Sequence, residues 1–179
     1  MHNGYDIPKR GNILKKFNHN NKGLSVVELI IVVAIISIVV TVISVSLFRF
    51  IQRSRKEADV SNASTIASVI QTALNETEIK NECASHMATG FIVWAPPGQP
   101  FHAFPGVAGP GDSSLFVGTL NQHLNNKAPE IKYTKNGCET WVVAIGDTGV
   151  FVYPGDSSGV TLGTGQRMFP TPLGDYVTD

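Results

Sequence analysis

The sequence predicts an α+β fold in which a long N-terminal α-helix, transmembrane at first and then amphipathic, packs on a small antiparallel β-sheet. Three observations support this prediction. Residues 29–48 form an apolar run of 20 residues without a charge. Apolar residues then recur at spacings of three and four as far as residue 77, as in an amphipathic helix. From residue 90 onward, short strand-like segments alternate with turn residues.

Composition excludes several classes of protein. The 179 residues suffice for one ordinary domain. A hydrophobic content of 42% and a formal net charge of zero exclude a disordered polyelectrolyte, and they give no basic excess of the kind that indicates nucleic-acid binding. Two cysteines are too few for a disulfide-dense scaffold. A single long apolar run also excludes a polytopic membrane protein.

Residues 1–23 differ from the rest of the chain in charge. They contain five basic side chains and one acidic side chain, they are rich in Asn, and they lack hydrophobic periodicity. Residues 24–179 contain nine basic and thirteen acidic side chains. We therefore predict that residues 1–23 are an unstructured basic leader and not part of the fold.

The apolar run has the length of a membrane span. A helix of 20 residues covers about 30 Å, the thickness of the hydrocarbon core. The apolar core of a removable signal peptide is shorter, roughly 7–15 residues. The run therefore predicts a single-pass anchor. Five basic residues precede it and four follow closely, so charge alone does not fix its orientation.

Glu28 is the one charge at the start of this run. A carboxylate at the bilayer centre costs about 2.5–3.5 kcal/mol, so its presence indicates a function that involves a positive partner. Cleavage after Gly23 would create such a partner in the α-amino group of Leu24. The alternative is that Glu28 lies at the level of the lipid headgroups, where its cost is small.

Residues 22–29, Lys-Gly-Leu-Ser-Val-Val-Glu-Leu, and the Ile/Val-rich run after them resemble the processing site of type IV prepilins and pseudopilins. The shared features are Gly before the cut, an apolar residue after it, Glu at the fifth position beyond it, and the long apolar run. The resemblance covers residues 22–56. Leu24 stands where Phe or Met is usual, and Ser37 and Val45 stand where many members have Gly and Pro, which predicts a straighter helix. The long leader is closer to type IVb, although the remaining chain is short for that subclass.

The resemblance implies a processing pathway. A prepilin peptidase would cleave between Gly23 and Leu24 and N-methylate Leu24, which places the leader in the cytoplasm and the globular part outside. The subunit would span the cytoplasmic membrane once before it enters an extracellular pilus. Its implied partners are copies of itself, other pilins, the peptidase and the membrane, and no cofactor is implied. In the filament, Glu28 would pair with the Leu24 amine of a neighbour, because each charge alone is costly in an apolar core.

The predicted organisation has three parts: the leader (1–23), a transmembrane and filament-core helix (24–50), and a globular pilin domain (51–179). With no Pro or Gly between Leu24 and Cys83, one helix is expected from about residue 24 to about residue 81. Its second half should place an apolar stripe on the sheet, with acidic residues such as Asp59 mostly on other faces. The stripe consists of Ala63, Ile66, Ala67, Ile70, Ala73, Leu74 and Thr77.

The globular part predicts a meander. Residues 90–94, 131–134, 139–145 and 150–153 have strand patterns, with a hairpin expected at Asn136-Gly137 and another at residues 146–149. Residues 95–111 are rich in Pro and Gly, which predicts a loop. Ser113 or Ser114 could cap a short helix with an apolar face, with a strand as the alternative. Residues 160–162 could add an edge strand. The helix face would contain Phe116, Leu120 and Leu124.

Cys83 and Cys138 are predicted to form a disulfide outside the cytoplasm, which would stabilise the fold by about 4 kcal/mol on the chain-entropy model. The alternative is two free thiols. The histidines have no metal-ligand spacing, and no metal site is predicted. Asp112 and Asp156 occur in a repeated Pro-Gly-Asp-Ser-Ser segment, which suits either calcium ligation or ordinary turns.

The leading functional prediction is a structural subunit of a type IV pilus, whose adhesion, motility or DNA uptake would be properties of the filament. One alternative is a pseudopilin of a type II secretion or competence system, in which calcium sites are frequent. Another is a monomeric membrane-anchored binding domain that keeps its leader. An enzyme is not expected, because the sequence contains no catalytic motif.

Overall fold

The structure, a computed structural model, describes residues 25–134, 137–158 and 166–177. Contacts divide the chain into two compact units, one ending at Ile43 and one beginning at Ser44. Helix α1, Val26–Leu74, contributes residues to both units. The leader, the predicted cleavage position at Gly23 and Leu24, Asn136 of the predicted hairpin, and residues 160–162 lie outside the described residues.

The second unit contains the sheet and two further helices, which confirms the predicted α+β class with a long helix on an antiparallel sheet. A 3-10 turn follows near the C-terminus, at Gly174–Tyr176. The elements in chain order after α1 are α2 (Thr77–Met87), β1 (Phe91–Ala95), β2 (His102–Ala103), α3 (Leu115–His123), β3 (Thr140–Gly146) and β4 (Gly149–Gly155).

Helix α1 ends at Leu74, so the prediction of one helix to about residue 81 is wrong at its C-terminal end. The backbone N–H groups of Asn75 and Glu76 donate to carbonyl oxygens only three residues earlier, at 3.2 and 3.1 Å. Glu76 is extended, with φ −70° and ψ 130°, and α2 begins after it. A tightened last turn of this kind is a common way to end an α-helix, and Asn is a weak helix former.

The core of the second unit lies between α1 and the sheet. The predicted stripe is confirmed over residues 63–73, while Leu74 is only partly buried and Thr77 is exposed. Alternate residues of β1 and β3 face the same core, as the pleat of a strand requires. The buried stripe is Ala63, Ile66, Ala67, Ile70 and Ala73, and the strands contribute Phe91, Val93, Ala95, Trp141, Val143 and Ile145.

The sheet has the order β2-β1-β3-β4 and is antiparallel throughout. Its central pair runs from Phe91 opposite Ile145 to Ala95 opposite Trp141. The predicted hairpin between β3 and β4 is confirmed, and Gly149 supplies the positive φ of 121° that its turn needs.

Two expectations about irregular segments are corrected. The stretch 95–111 is not loop throughout, because β2 pairs with β1. The predicted strand at residues 131–134 is not formed. The backbone N–H groups of Lys132 and Tyr133 donate to the side chain of Asp59, so they are not available to a sheet neighbour.

Helix α3 confirms the capped helix over the strand alternative. Ser114 is the N-cap, and its hydroxyl accepts from the N–H of Val117 at 3.1 Å. The carboxylate of Glu82 on α2 accepts from the N–H groups of Leu115 and Phe116 at 3.1 and 3.0 Å. Three donors that no helical carbonyl can reach are therefore satisfied. Of the expected apolar face, Phe116 and Leu120 are buried and Leu124 is half-buried.

Candidate assembly site

The first turn of α1 places Glu28 beside Ser25. The N–H of Ser25 donates to Glu28 Oε2 at 2.9 Å, and the Ser25 hydroxyl accepts a long bond of 3.4 Å from the N–H of Val27. The Glu28 half of this arrangement is that of a capping box, and the Ser25 hydroxyl caps the N–H two residues on, so both side chains satisfy free donors of the helix start. The Ser-x-x-Glu pattern was the signal that sequence analysis missed. It gives Glu28 a local structural role in the single subunit.

The apolar part of α1 that follows is uncovered. Every residue from 26 to 43 is exposed, with Val26 at 72% and Ile38 at 67% of full accessibility. Two hydroxyls in this stretch donate to carbonyl oxygens four residues earlier, from Ser37 at 2.7 Å and from Thr41 at 2.8 Å. The stretch therefore offers large apolar side chains on all sides and hydroxyls that need no water.

By length and composition, α1 is the one helix among the described residues that is long and apolar enough to cross a membrane. A fully exposed Val, Ile or Leu side chain gains roughly 1.5–3 kcal/mol from complete removal from water, and those of residues 26–43 are 47–72% exposed. A helix that is apolar on every side is stable in lipid or among other helices. The arrangement suits insertion and helix–helix assembly.

Residues 18–44 match the family model of the prokaryotic N-terminal methylation motif. The chain carries the N-terminal signal of type IV pilins and pseudopilins. The matched residues include Gly23, Leu24 and Glu28, as the resemblance predicted. No curated protein and no solved structure matches the chain.

This pilin-type signal and the apolar helix fit a membrane-anchored precursor and point to a structural protein. The signal also suggests processing by a prepilin peptidase and assembly with other pilins. Glu28 lies in the first turn of the helix, as the resemblance to prepilins predicts. Cleavage between Gly23 and Leu24, N-methylation of Leu24 and pairing of Glu28 between subunits stay predictions.

The second unit contains a buried carboxylate that sequence analysis placed on another face of the helix. Asp59 is fully buried, and its two oxygens accept from the N–H groups of Lys132 and Tyr133, each at 2.8 Å. Burial raises the pKa of Asp59, and the two hydrogen bonds and the charge of Lys132 oppose that rise. The signal for its burial was its spacing, because Asp59 precedes the stripe residue Ala63 by four positions.

Further contacts hold the segment around Tyr133. Lys56 Nζ lies 4.9 Å from the centre of the Tyr133 ring, and the Tyr176 hydroxyl donates to the Tyr133 carbonyl at 3.4 Å. The Tyr133 and Tyr176 rings meet edge to face, with centroids 5.7 Å apart. The 131–134 segment and the C-terminal turn are thus fixed to α1 at the level of Asp59.

Cys83 and Cys138 are both buried free thiols, so the structure does not contain the expected disulfide. Cys83 lines a cavity of about 310 Å³ with Asp147, which follows the end of β3. Cys138 lies two residues before the start of β3. Seven residues of strand extend over about 20 Å, whereas a disulfide needs Cα atoms within about 7 Å. Burial raises the pKa of Cys83 to about 11 and also raises that of Cys138.

The two Pro-Gly-Asp segments form hydrogen-bonded turns. Asp112 Oδ1 accepts from the N–H of Ala103 at 2.6 Å, and Oδ2 lies 3.4 Å from Nδ1 of His102. Asp156 Oδ1 accepts from the N–H and the hydroxyl of Ser158, at 2.9 and 2.6 Å. The part of the chain that the structure describes has no group of three or more His, Cys, Asp or Glu that could hold a metal ion.

Proposed function

We propose that the protein is a structural subunit of a type IV pilus, processed by prepilin peptidase and polymerised through residues 24–50. The methylation motif carries the proposal, because this signal directs a chain to peptidase processing and helix-mediated assembly. The uncovered helix supports it, since residues 26–43 offer apolar surface on every side. Copies of the same helix, packed side by side, bury that surface.

Glu28 is the proposed registration point between subunits. Its Oε2 is occupied by the Ser25 N–H, while in the described part of the chain Oε1 accepts no hydrogen bond. Oε1 is therefore open to the Leu24 α-amino group of a neighbouring, cleaved subunit. In an apolar filament core an unpaired carboxylate or amine is costly, so a subunit that docks out of register is disfavoured.

The test begins with the intact mass of the protein from its native cells. We expect a mature chain that starts at Leu24 and carries one additional methyl group. Filaments are then sheared from cells that carry Glu28→Gln, with Glu139→Gln as the matched control, because Glu139 is exposed in the second unit. Glu28→Gln should reduce sheared filament at least about 100-fold, because breaking a buried ion pair costs about 3–5 kcal/mol. The control should assemble normally.

Three other outcomes have distinct meanings. A chain that retains residues 1–23 would contradict the proposal and leave a monomeric membrane-anchored domain. A processed chain that stays in the cell envelope and is never sheared off would identify a pseudopilin. Normal filaments with Glu28→Gln would remove Glu28 from the assembly mechanism while leaving the pilus itself intact.

A further inference from the structure

A basic segment follows the apolar run of α1. It comprises four side chains within eight residues, and two of these have partners inside the chain. Arg53 Nε lies 2.9 Å from Glu57 Oε1, and Lys56 Nζ lies over the Tyr133 ring. Arg49 and Arg55 form no ion pair or hydrogen bond within the described residues. Both are exposed, so their guanidinium groups are available to a ligand.

Two exposed aromatic side chains flank Arg49. Phe48 and Phe50 are 67% and 68% accessible, and neither belongs to the core of the second unit. Phe next to cationic side chains is typical of helix segments that lie at the boundary between acyl chains and headgroups. This composition indicates that the segment lies at the boundary between the acyl chains and the headgroups of a bilayer.

The helical rise gives the same depth. If Phe48 ends the hydrocarbon span, Arg49 lies about 1.5 Å beyond it and Arg55 about 10 Å beyond it. The headgroup layer on each side of a bilayer is roughly 5–8 Å thick. Helical side chains tilt toward the N-terminus, which brings the long Arg55 side chain back toward the membrane. At 100° per residue, the two arginines project from different sides of the helix.

We propose that Arg49 and Arg55 bind the phosphate groups of anionic lipids in the leaflet next to the second unit. A guanidinium group suits phosphate because its planar set of N–H donors matches two phosphate oxygens. Arg53 and Lys56 contribute less, because Glu57 and Tyr133 already engage them. This binding site requires the membrane anchor but not the filament, so its failure would leave the proposed pilus function untouched.

The test measures lipid preference with the mature full chain in vesicles that contain phosphatidylglycerol and phosphatidylcholine. A fluorophore is attached through Gln52→Cys, an exposed position, while the native thiols are buried. Brominated phosphatidylglycerol and brominated phosphatidylcholine are compared as quenchers, which gives the relative affinity for the anionic lipid. Urea unfolding of each variant checks that the second unit is intact.

Each of Arg49→Gln and Arg55→Gln should lower the preference for phosphatidylglycerol about 5-fold, the equivalent of about 1 kcal/mol per basic residue near an anionic surface. Arg53→Gln should lower it less than about 2-fold. The control Lys80→Gln/Lys127→Gln removes two exposed charges from the second unit and should leave the preference unchanged.

Two results would overturn the proposal. One is an unchanged preference in the Arg49→Gln/Arg55→Gln double variant, which would assign the two arginines to some other partner, such as an acidic side chain of a second copy. The other is an equal loss with Arg53→Gln, which would indicate diffuse attraction to the bilayer and no specific binding at the two unpaired side chains.

Discussion

Two stretches of helix α1 differ in apolar content and have opposite surroundings. In residues 26–43 every side chain is exposed, and the sequence is dominated by Val and Ile. In residues 59–73 only one face is buried, and three of its five apolar members are Ala. The polar residues on the other faces of this stretch meet water.

The difference shows how one continuous helix can serve two environments. An apolar surface on every side needs lipid or neighbouring helices, and the part of the chain that the structure describes buries no residue of the first stretch. An apolar stripe needs only one partner layer, and the sheet supplies it. Matched substitutions in the two stretches can therefore separate folding from assembly.

The largest expected contrast comes from the same substitution in each stretch. Ile70→Ala removes a fully buried side chain and should lower the free energy of unfolding of the second unit by about 2–5 kcal/mol. Ile36→Ala alters a side chain that is 54% exposed and should leave that free energy unchanged. Urea unfolding of the mature chain in detergent, followed by the fluorescence of the buried Trp141, measures both.

Membrane insertion of the Ile36→Ala variant is the control for this contrast. Ile36→Ala should weaken insertion by roughly 0.3–0.6 kcal/mol, the contribution of one Ile on the insertion scale. A loss of unfolding free energy with Ile36→Ala that matched the loss with Ile70→Ala would show that the first stretch is part of the fold. The division of α1 into two environments would then be wrong.

The stripe was predictable from the sequence because its spacing is a property of the helix itself. The end of α1 was not, since Asn75 and Glu76 are ordinary polar residues and the tightened turn depends on their surroundings. The strand predicted at residues 131–134 is not formed for a similar reason, because its surroundings decide its structure. Its alternating pattern suits a strand, but a carboxylate 73 positions earlier takes its backbone donors. Such a long-range competitor leaves no local signal.

The N-terminal motif was recognisable from the sequence because it is local. Gly23, Leu24 and Glu28 form a compact motif that no tertiary contact is needed to recognise. Asp59 was missed because a charged residue is normally exposed, and only the position of the 131–133 backbone makes its burial tolerable. The contrast follows from separation along the sequence, since the motif spans a few residues and the Asp59 site joins two distant segments.

Asp59 is a buried charged residue one turn before the apolar stripe of α1. Asp59→Ala leaves the N–H groups of Lys132 and Tyr133 without their acceptor. Tyr133 is buried, so its unsatisfied N–H costs about 1–3 kcal/mol, whereas Lys132 is exposed and its N–H can bond to water. Loss of the desolvated charge offsets part of this cost. Asp59→Asn keeps one acceptor oxygen and should lose less stability than Asp59→Ala in the same urea experiment. Equal losses would show that the two hydrogen bonds do not stabilise the fold.

The pH dependence of the same residue gives a smaller effect with a definite sign. The pKa of Asp59 is raised above its ordinary value of 3.8, so its contribution to stability is fully present below pH 3.8 and is lost as the pH rises through the folded-state pKa. Wild type should therefore gain stability relative to Asp59→Asn as the pH falls from 7 toward 4. A difference between the two proteins that stays constant over this range would contradict the raised pKa.

The smallest expected effect concerns the cysteines, where we predict no response to reductant. A disulfide worth about 4 kcal/mol would raise Tm by roughly 8–16 °C in a chain of this size. Because Cys83 and Cys138 lie near opposite ends of β3, Tm should be the same with and without dithiothreitol. Both thiols should react with iodoacetamide after unfolding without reductant, and they should react slowly before unfolding, since burial raises the pKa of Cys83 to about 11.

A mature protein from native cells that takes up no iodoacetamide until it is reduced would show that the disulfide is present. That result would also require a path of the chain around β3 different from the one described, because strand β3 separates the two cysteines.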